Sequence, residues 1–207
     1  EEKRTMVEFN KIPKQLINAV IATEDTAFYE HKGIRPLSIL RSFIYGLLGK
    51  SRLGSGASTL TQQLVKNAIL TNERSLGRKL KEILLTLELE RRFTKQQILQ
   101  LYFNEIPYGS TNYGIESAAQ AYFGKKAKDL TIADSATLAA LPRSPTFYLN
   151  NLPKLKERRD LAIKRLVDAV KITTAEAEEA YKTEIKIEPN ISNIESPHFV
   201  LHVKEKL

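Results

Sequence analysis

At 207 residues, 42% of them hydrophobic and 27% charged, the chain is long enough to bury one good core and too short for a large multidomain enzyme. Its formal net charge of +8 favours a polyanionic partner: nucleic acid, an anionic membrane surface or a phosphorylated substrate. The absence of cysteine excludes a disulfide framework and a thiolate metal site, and no apolar run reaches the ~18 residues that a membrane span needs.

The opening Glu1-Glu2-Lys3-Arg4 is the start expected of a segment trimmed of an upstream anchor. From there the pattern is helix after helix. Pro13 suits a first helical turn, and Leu16, Ile17, Val20 and Ile21 continue at helical spacing to Phe28 before Gly33 stops the run. A second helical stretch follows Pro36, from Leu37 to about Leu48. The four glycines between Gly46 and Gly56 predict a mobile loop. Helices are next predicted over Ser58 to about Leu70, Ser75 to Phe93, Thr94 to Asn104 with a Thr94/Gln97 capping box, Gly114 to Phe123, and Thr131 to Leu141 with Thr131 and Asp134 at its start. Further helices are predicted from Leu155 to Val170 and from Thr174 to Thr183. Sheet signals are confined to the C-terminal end, where Ile185 to Ile187 and His198 to Val203 read as short strands. The fold class is therefore mostly α. Asn190 to Pro197 reads as a linker, so the globular part is expected to end near residue 185.

Three clusters could carry chemistry. Glu24 falls in the middle of the apolar arc of Ile17, Val20, Ile21 and Phe28. A carboxylate so placed suits a general acid or base, because desolvation favours its protonated form; a buried glutamate that locks helices together by pairing with an arginine fits the position equally well. Ser58, Gln62 and Lys66 line up at helical spacing beside Thr59, Gln63 and Asn67, with Leu60, Leu64 and Ala68 opposite. This face of amides and hydroxyls is either a hydrogen-bonding surface for a ligand or an ordinary polar face capped by Ser58. The glycine-flanked start Gly56-Ala57-Ser58 adds backbone N–H groups able to receive an anion. Arg74, Arg78, Lys79 and Glu82 open a helix that is apolar on most sides from Ile83 onward, which predicts a central helix whose charged first turn emerges into a cleft. Cations beside a carboxylate suit a phosphate-bearing leaving group, and intrahelical Arg78–Glu82 pairing is the alternative.

Other features read more plainly. His31, with no second histidine at metal-ligand spacing, reads as structural, and Arg158-Arg159 and Lys164-Arg165 as solvated charges on a late amphipathic helix. The apolar stretch from Leu37 to Gly49, flanked by Lys50 and Arg52, is either a membrane-interface segment or a core helix followed by a loop.

Glu24-Asp-Thr-Ala-Phe28-Tyr-Glu-His31-Lys-Gly33 resembles the first motif of the peptidoglycan glycosyltransferases, the domain of class A penicillin-binding proteins and of monofunctional transglycosylases. Gly56-Ala-Ser58-Thr59-Leu-Thr-Gln62-Gln63-Leu-Val-Lys66-Asn67 resembles the second motif and Arg78-Lys79-Leu-Lys-Glu82 the third. Tyr102-Phe-Asn104 through Gly109, Gly114 and Ala118 to Lys125 is similar to the block that follows. The match runs in order from about Ile12 to Pro145. It implies a lysozyme-like helical head over residues 1–185, with a small membrane-dipping subdomain at about 37–54, and a linker over 186–207 similar to the junction that leads into a transpeptidase domain.

The resemblance also implies a mechanism. Glu24 takes the proton from the 4-hydroxyl of the acceptor's terminal N-acetylglucosamine, which attacks the anomeric carbon of the donor's N-acetylmuramic acid in lipid II or the growing glycan, and undecaprenyl pyrophosphate leaves. Lys66, Arg74, Arg78 and Lys79 bind the donor pyrophosphate together with a divalent cation, Mg or Mn; no metal site built from protein ligands is implied. Glu82 orients that cluster or assists departure, and Ser58, Thr59, Gln62, Gln63 and Asn67 hold sugar and phosphate oxygens. The expected setting is the outer face of a bacterial cytoplasmic membrane, with moenomycin-type inhibitors in the donor site. A lysozyme-like hydrolase is the nearest enzymatic rival, but cleavage of a neutral glycosidic bond needs no cationic clamp. No exposed helix carries the Lys/Arg row of a nucleic-acid binder, so no nucleic-acid partner is expected.

Overall fold

A computed structural model of the chain describes residues 3–38, 45, 58–69, 75–109 and 111–187. Most of the expected helix over Leu37 to Leu48 and of the expected 37–54 subdomain, and the tail beyond residue 187, lie outside the described residues. The described elements are β1 (Lys3–Arg4), a 3-10 turn (Phe9–Lys11), α1 (Lys14–Glu24), α2 (Leu60–Ala68), α3 (Leu76–Arg92), α4 (Lys95–Glu105), β2 (Pro107–Gly109), β3 (Asn112–Tyr113), α5 (Ile115–Phe123), a second 3-10 turn (Ala127–Asp129), α6 (Ile132–Ala140), α7 (Pro145–Leu149), α8 (Leu152–Asp168) and α9 (Thr174–Lys182). The mostly α expectation holds.

Helix starts follow from local side-chain chemistry. Thr94/Gln97 and Thr131/Asp134 form the expected capping boxes, each residue satisfying a backbone N–H of the other. Two further boxes, Thr59/Gln62 and Thr173/Glu176, start α2 and α9. The cap of α2 is therefore Thr59, not Ser58, which is exposed. α7 starts on Pro145 and was not foreseen, since five residues carry too little periodicity to read.

The core is built where α1, α6 and α8 pack on one another. α1 contributes Leu16, Ile17, Ala19 and Val20, which meet Leu138, Ala139, Leu155 and Leu166. Ala133, Ala136, Ala162, Ala177 and Ala180 sit where α6, α8 and α9 meet, and their small side chains let the three backbones approach closely. Arg159 lies inside this region, fully buried rather than solvated as expected. Its guanidinium donates to the Thr183 carbonyl at 2.6 Å and the Tyr181 carbonyl at 3.3 Å, so it closes the C-terminal end of α9.

Of the two expected strands, one fails and the other, His198 to Val203, lies outside the described residues. Ile185 to Ile187 forms no strand, although Ile187 is buried in the core. Instead a small sheet of order β1-β3-β2 joins the N-terminal residues to the middle of the chain, β1 parallel and β2 antiparallel to β3. Strands of two or three residues offer no alternation to detect. Gly114, at φ +78°, fits beside β3 only as glycine, because a Cβ there would lie 2.6 Å from the Asn104 carbonyl oxygen.

α3 departs most from expectation. It is peripheral, with Leu80 60%, Leu84 59% and Leu87 39% exposed in one row, while the face turned inward carries the buried Glu82 and Thr86. The apolar count of the sequence was high, but the polar residues hold the inner face because α3 packs against the polar side of α2.

Candidate active site

α1 ends at Glu24, short of the expected Phe28, because Asp25 leaves the helical region at φ −157° and ψ 75° and its side chain is committed elsewhere. That carboxylate, 1% exposed, accepts the Leu60 N–H at 3.0 Å and the His31 Nε2–H at 2.8 Å. The His31 tautomer is fixed from the other side, where Nδ1 accepts the Gly33 N–H at 3.0 Å. Thr59 Oγ1 donates to the Gly33 carbonyl at 2.5 Å. The loop from Asp25 to Gly33 is thereby sewn to the first turn of α2, and His31 has the structural place expected of it. Gly33 itself, at φ +88°, touches α3, where a Cβ would meet Thr86 and Glu90 side-chain carbons at 2.8 Å.

This stitching brings Gln63 of α2 opposite Glu24. Gln63 Nε2 donates to Glu24 Oε2 at 3.1 Å, and Tyr102 of α4 donates its hydroxyl to Gln63 Oε1 at 3.3 Å. Arg158 of α8 donates from Nη2 to Glu24 Oε1. The Glu24 side chain is 9% exposed and that of Arg158 12%. Arg158 was expected to be solvated; instead it is the ion-pair partner of the carboxylate. Burial, reinforced by the charge of Glu24, holds the Tyr102 phenol well above the ordinary tyrosine value.

Gln62, the neighbour of Gln63, turns the other way and meets the second carboxylate. Its Nε2 donates to Glu82 Oε1 at 3.3 Å, while its Oε1 accepts the Thr59 N–H at 3.1 Å. Glu82, 2% exposed, also pairs with Lys79 and faces Arg78 Nη1 at 3.8 Å. Arg78 Nε is buried without a partner among the described residues. α2 therefore links two carboxylates through consecutive glutamines: Gln63 to Glu24, and Gln62 to Glu82.

The remaining sequence-predicted residues are distributed as follows. Thr59 and Gln62 are buried, with their polar atoms engaged in the cap and its neighbours. Ser58, Lys66 and Asn67 are exposed, and Asn67 Nδ2 donates to the Gln63 carbonyl at 2.8 Å. Arg74, like Gly56 and Ala57, lies outside the described residues.

Glu24 opens onto a groove of about 690 Å³. Arg35, Arg143, Arg158, Arg165 and Lys171 line it, against the carboxylates Glu24, Asp25 and Asp168, so its wall is net positive. Arg165, also expected to be solvated, donates to the Thr23 carbonyl at 2.8 Å and closes the C-terminal end of α1 beneath the groove. Sequence reasoning missed Arg158 and Arg165, yet for Arg158 a signal existed. Arg158 and Arg159 fall within the apolar stripe of α8, between Leu155 and Ala162, where an unpartnered cation is costly.

Comparison with known proteins gives a consistent result. The model of the Transglycosylase family matches residues 1–167. Penicillin-binding protein 1A of Aquifex aeolicus is 42% identical over 205 residues, covering 98% of this chain and 28% of that protein. Penicillin-binding protein 4 of Bacillus subtilis is 38% identical over 207 residues, covering 99% and 33%. The crystal structure of penicillin-binding protein 1A from Haemophilus influenzae shares the fold, with a TM-score of 0.53 at 24% identity over 90% of this chain and 18% of that one. The chain thus spans about a third or less of the relatives it matches.

Proposed function

Since the chain belongs to the transglycosylase family, we propose that it polymerises lipid II into β-1,4-linked glycan strands with release of undecaprenyl pyrophosphate. The observation that carries this is the pair of carboxylates joined by consecutive glutamines of α2, one facing a basic groove and the other set among cations. The two environments suit two different tasks in one displacement.

In that displacement Glu24 removes the proton from the acceptor's 4-hydroxyl as its oxygen forms a bond to the donor's anomeric carbon. The bond from that carbon to the pyrophosphate oxygen breaks, and the leaving group departs with the electron pair. Lys79 and Arg78, with Lys66 and Arg74, offset the charge that grows on it, and Glu82 holds Lys79 and Arg78 at the site. Ser58, Thr59, Gln62, Gln63 and Asn67 hold sugar and phosphate oxygens, directly or through the cap of α2. A hydrolase has no use for the second cluster.

Among the described residues no group of three or more His, Asp or Glu could hold a metal ion, and both oxygens of Glu82 already face cations or Gln62. A resident protein-held metal does not fit there. The divalent cation is instead one that arrives with the pyrophosphate, and no step runs through it.

The setting is the outer face of a bacterial cytoplasmic membrane. The exposed row of Leu80, Leu84 and Leu87 beside a +8 chain supports contact with an anionic lipid surface, where a lipid-linked substrate resides. A moenomycin-type phosphoglycolipid competes for the donor site. Incubation of the chain with labelled lipid II and a divalent cation tests the function: a ladder of glycan polymer, suppressed by moenomycin, is expected. Degradation of preformed glycan without polymer would give the site to a hydrolase.

A further inference from the structure

The proposed base is held more firmly than a base needs for ionisation alone. Glu24 has one fixed donor on each oxygen, Arg158 Nη2 on Oε1 and Gln63 Nε2 on Oε2. Both donors are themselves immobilised. The Arg158 guanidinium also donates from Nε to the Ala140 carbonyl at 3.1 Å, at the last residue of α6, and lies 5.6 Å from the centre of the Tyr148 ring. A cation at the carbonyl end of a helix and over an aromatic face is favoured on both counts. Gln63 has one permitted orientation. Its NH2 must face the carboxylate, which only accepts, and its carbonyl oxygen then receives the hydroxyl of the buried Tyr102. The four groups come from α1, α2, α4 and α8, so the carboxylate plane is set by the packing of four helices.

We propose that Arg158 and Tyr102 are positioning residues for Glu24, Arg158 by direct pairing and Tyr102 by fixing the amide of Gln63. This rests on Glu24 being the base. Its physical content is that proton removal requires the carboxylate within hydrogen-bond reach of the acceptor hydroxyl, with the lone pairs not used by Arg158 and Gln63 turned to the groove. Misplacement of a reacting group by about 1 Å costs on the order of 100-fold in rate. Tyr102 is buried, and the guanidinium of Arg158, although at the groove wall, is taken up by Glu24 and the Ala140 carbonyl, so their loss is expected to act on turnover more than on binding.

Steady-state kinetics of lipid II polymerisation by Arg158→Ala, Arg158→Lys and Tyr102→Phe, with a melting curve for each, tests this. Arg158→Ala is expected to lower kcat by about 100-fold with KM changed less than about threefold. Arg158→Lys recovers part of the loss, since an ammonium keeps the charge but not the fork that also reaches Ala140. Tyr102→Phe preserves the packing and lowers kcat about 10-fold, the scale of one lost hydrogen bond. In a Glu24→Gln background neither change has further effect on the residual rate. If Arg158→Ala fails to fold, Arg158→Lys and Tyr102→Phe decide. Wild-type kcat in those two, with Glu24→Gln inert, overturns the positioning role alone. Wild-type turnover by Glu24→Gln overturns the base assignment, and the positioning role with it.

Discussion

Glu24 is both an ion-paired residue and a groove-lining one, and these are different properties of the same side chain. The pairing with Arg158 places the carboxylate; the opening onto a basic groove gives it something to act on. The apolar arc around Glu24 was legible in the sequence, as was the Arg78, Lys79 and Glu82 cluster, because both are local patterns on single helices. The pairing with Arg158 was not, because the partner lies 134 residues away, although the place of Arg158 in the apolar stripe of α8 signals that it needs one. Asp25 went unread for a related reason: its role is to receive the N–H of Leu60 and the proton of His31, contacts made only once the loop has closed. At the cationic cluster, Lys79→Ala removes the closest partner of Glu82 and one positive charge from the proposed donor site. The expected result is a loss of roughly 10- to 100-fold in kcat/KM for lipid II, the scale of one charged hydrogen bond, measured under steady-state conditions. An unchanged kcat/KM would remove Lys79 from the donor site.

The element that organises the site is α2. Its capping box fixes Gln62, Gln62 reaches Glu82, and the next residue reaches Glu24. Thr59→Ala removes the cap and the hydrogen bond to the Gly33 carbonyl together. We expect about 2 kcal/mol of lost stability by denaturant unfolding, and a fall in turnover, because the Gln62 backbone N–H loses its acceptor and the turn that carries Gln62 and Gln63 loses its tie to Gly33. A loss below about 0.5 kcal/mol would show that the cap does not set the helix start. α2 also explains why α3 was misjudged. Periodicity reports how many apolar residues a helix has, whereas the face it buries depends on the neighbour, and the neighbour here presents Thr61 and Gln62. Thr61 accordingly donates to Glu90 of α3 at 2.5 Å. The helices α4 and α6, whose neighbours are apolar, were read correctly to within a residue or two, caps included.

At the scale of the whole molecule, three tyrosines anchor the half of the core beneath the site. Tyr102, Tyr108 and Tyr122 are buried, and burial raises each phenol above the ordinary tyrosine value of 10.0. A raised folded-state value means that the unfolded chain loses these protons first. The stability they contribute is complete below pH 10.0 and is lost as the pH rises above it. The melting temperature is expected to fall progressively above pH 10, with phenolate absorbance of these residues appearing only as the chain unfolds. Phenolate that appears in the folded chain near pH 10 would contradict their burial. The helical character of the whole was legible because nearly every helix has a signature of its own, while the sheet joining β1 to β2 and β3 was not, since pairing between residues about a hundred positions apart leaves no local trace. The two carboxylate centres met across α2 give the molecule its proposed activity, and one substitution separates chemistry from architecture. The most direct measurement is the rate of lipid II polymerisation by Glu24→Gln beside the unaltered chain, with melting curves of both. The loss expected is on the order of 100- to 10,000-fold, the contribution of a general base, with a cooperative melting transition retained at a lowered temperature, because the isosteric amide still accepts from Arg158 but no longer carries the charge of the pair or accepts from Gln63. Polymerisation at a near-normal rate by Glu24→Gln would contradict the account.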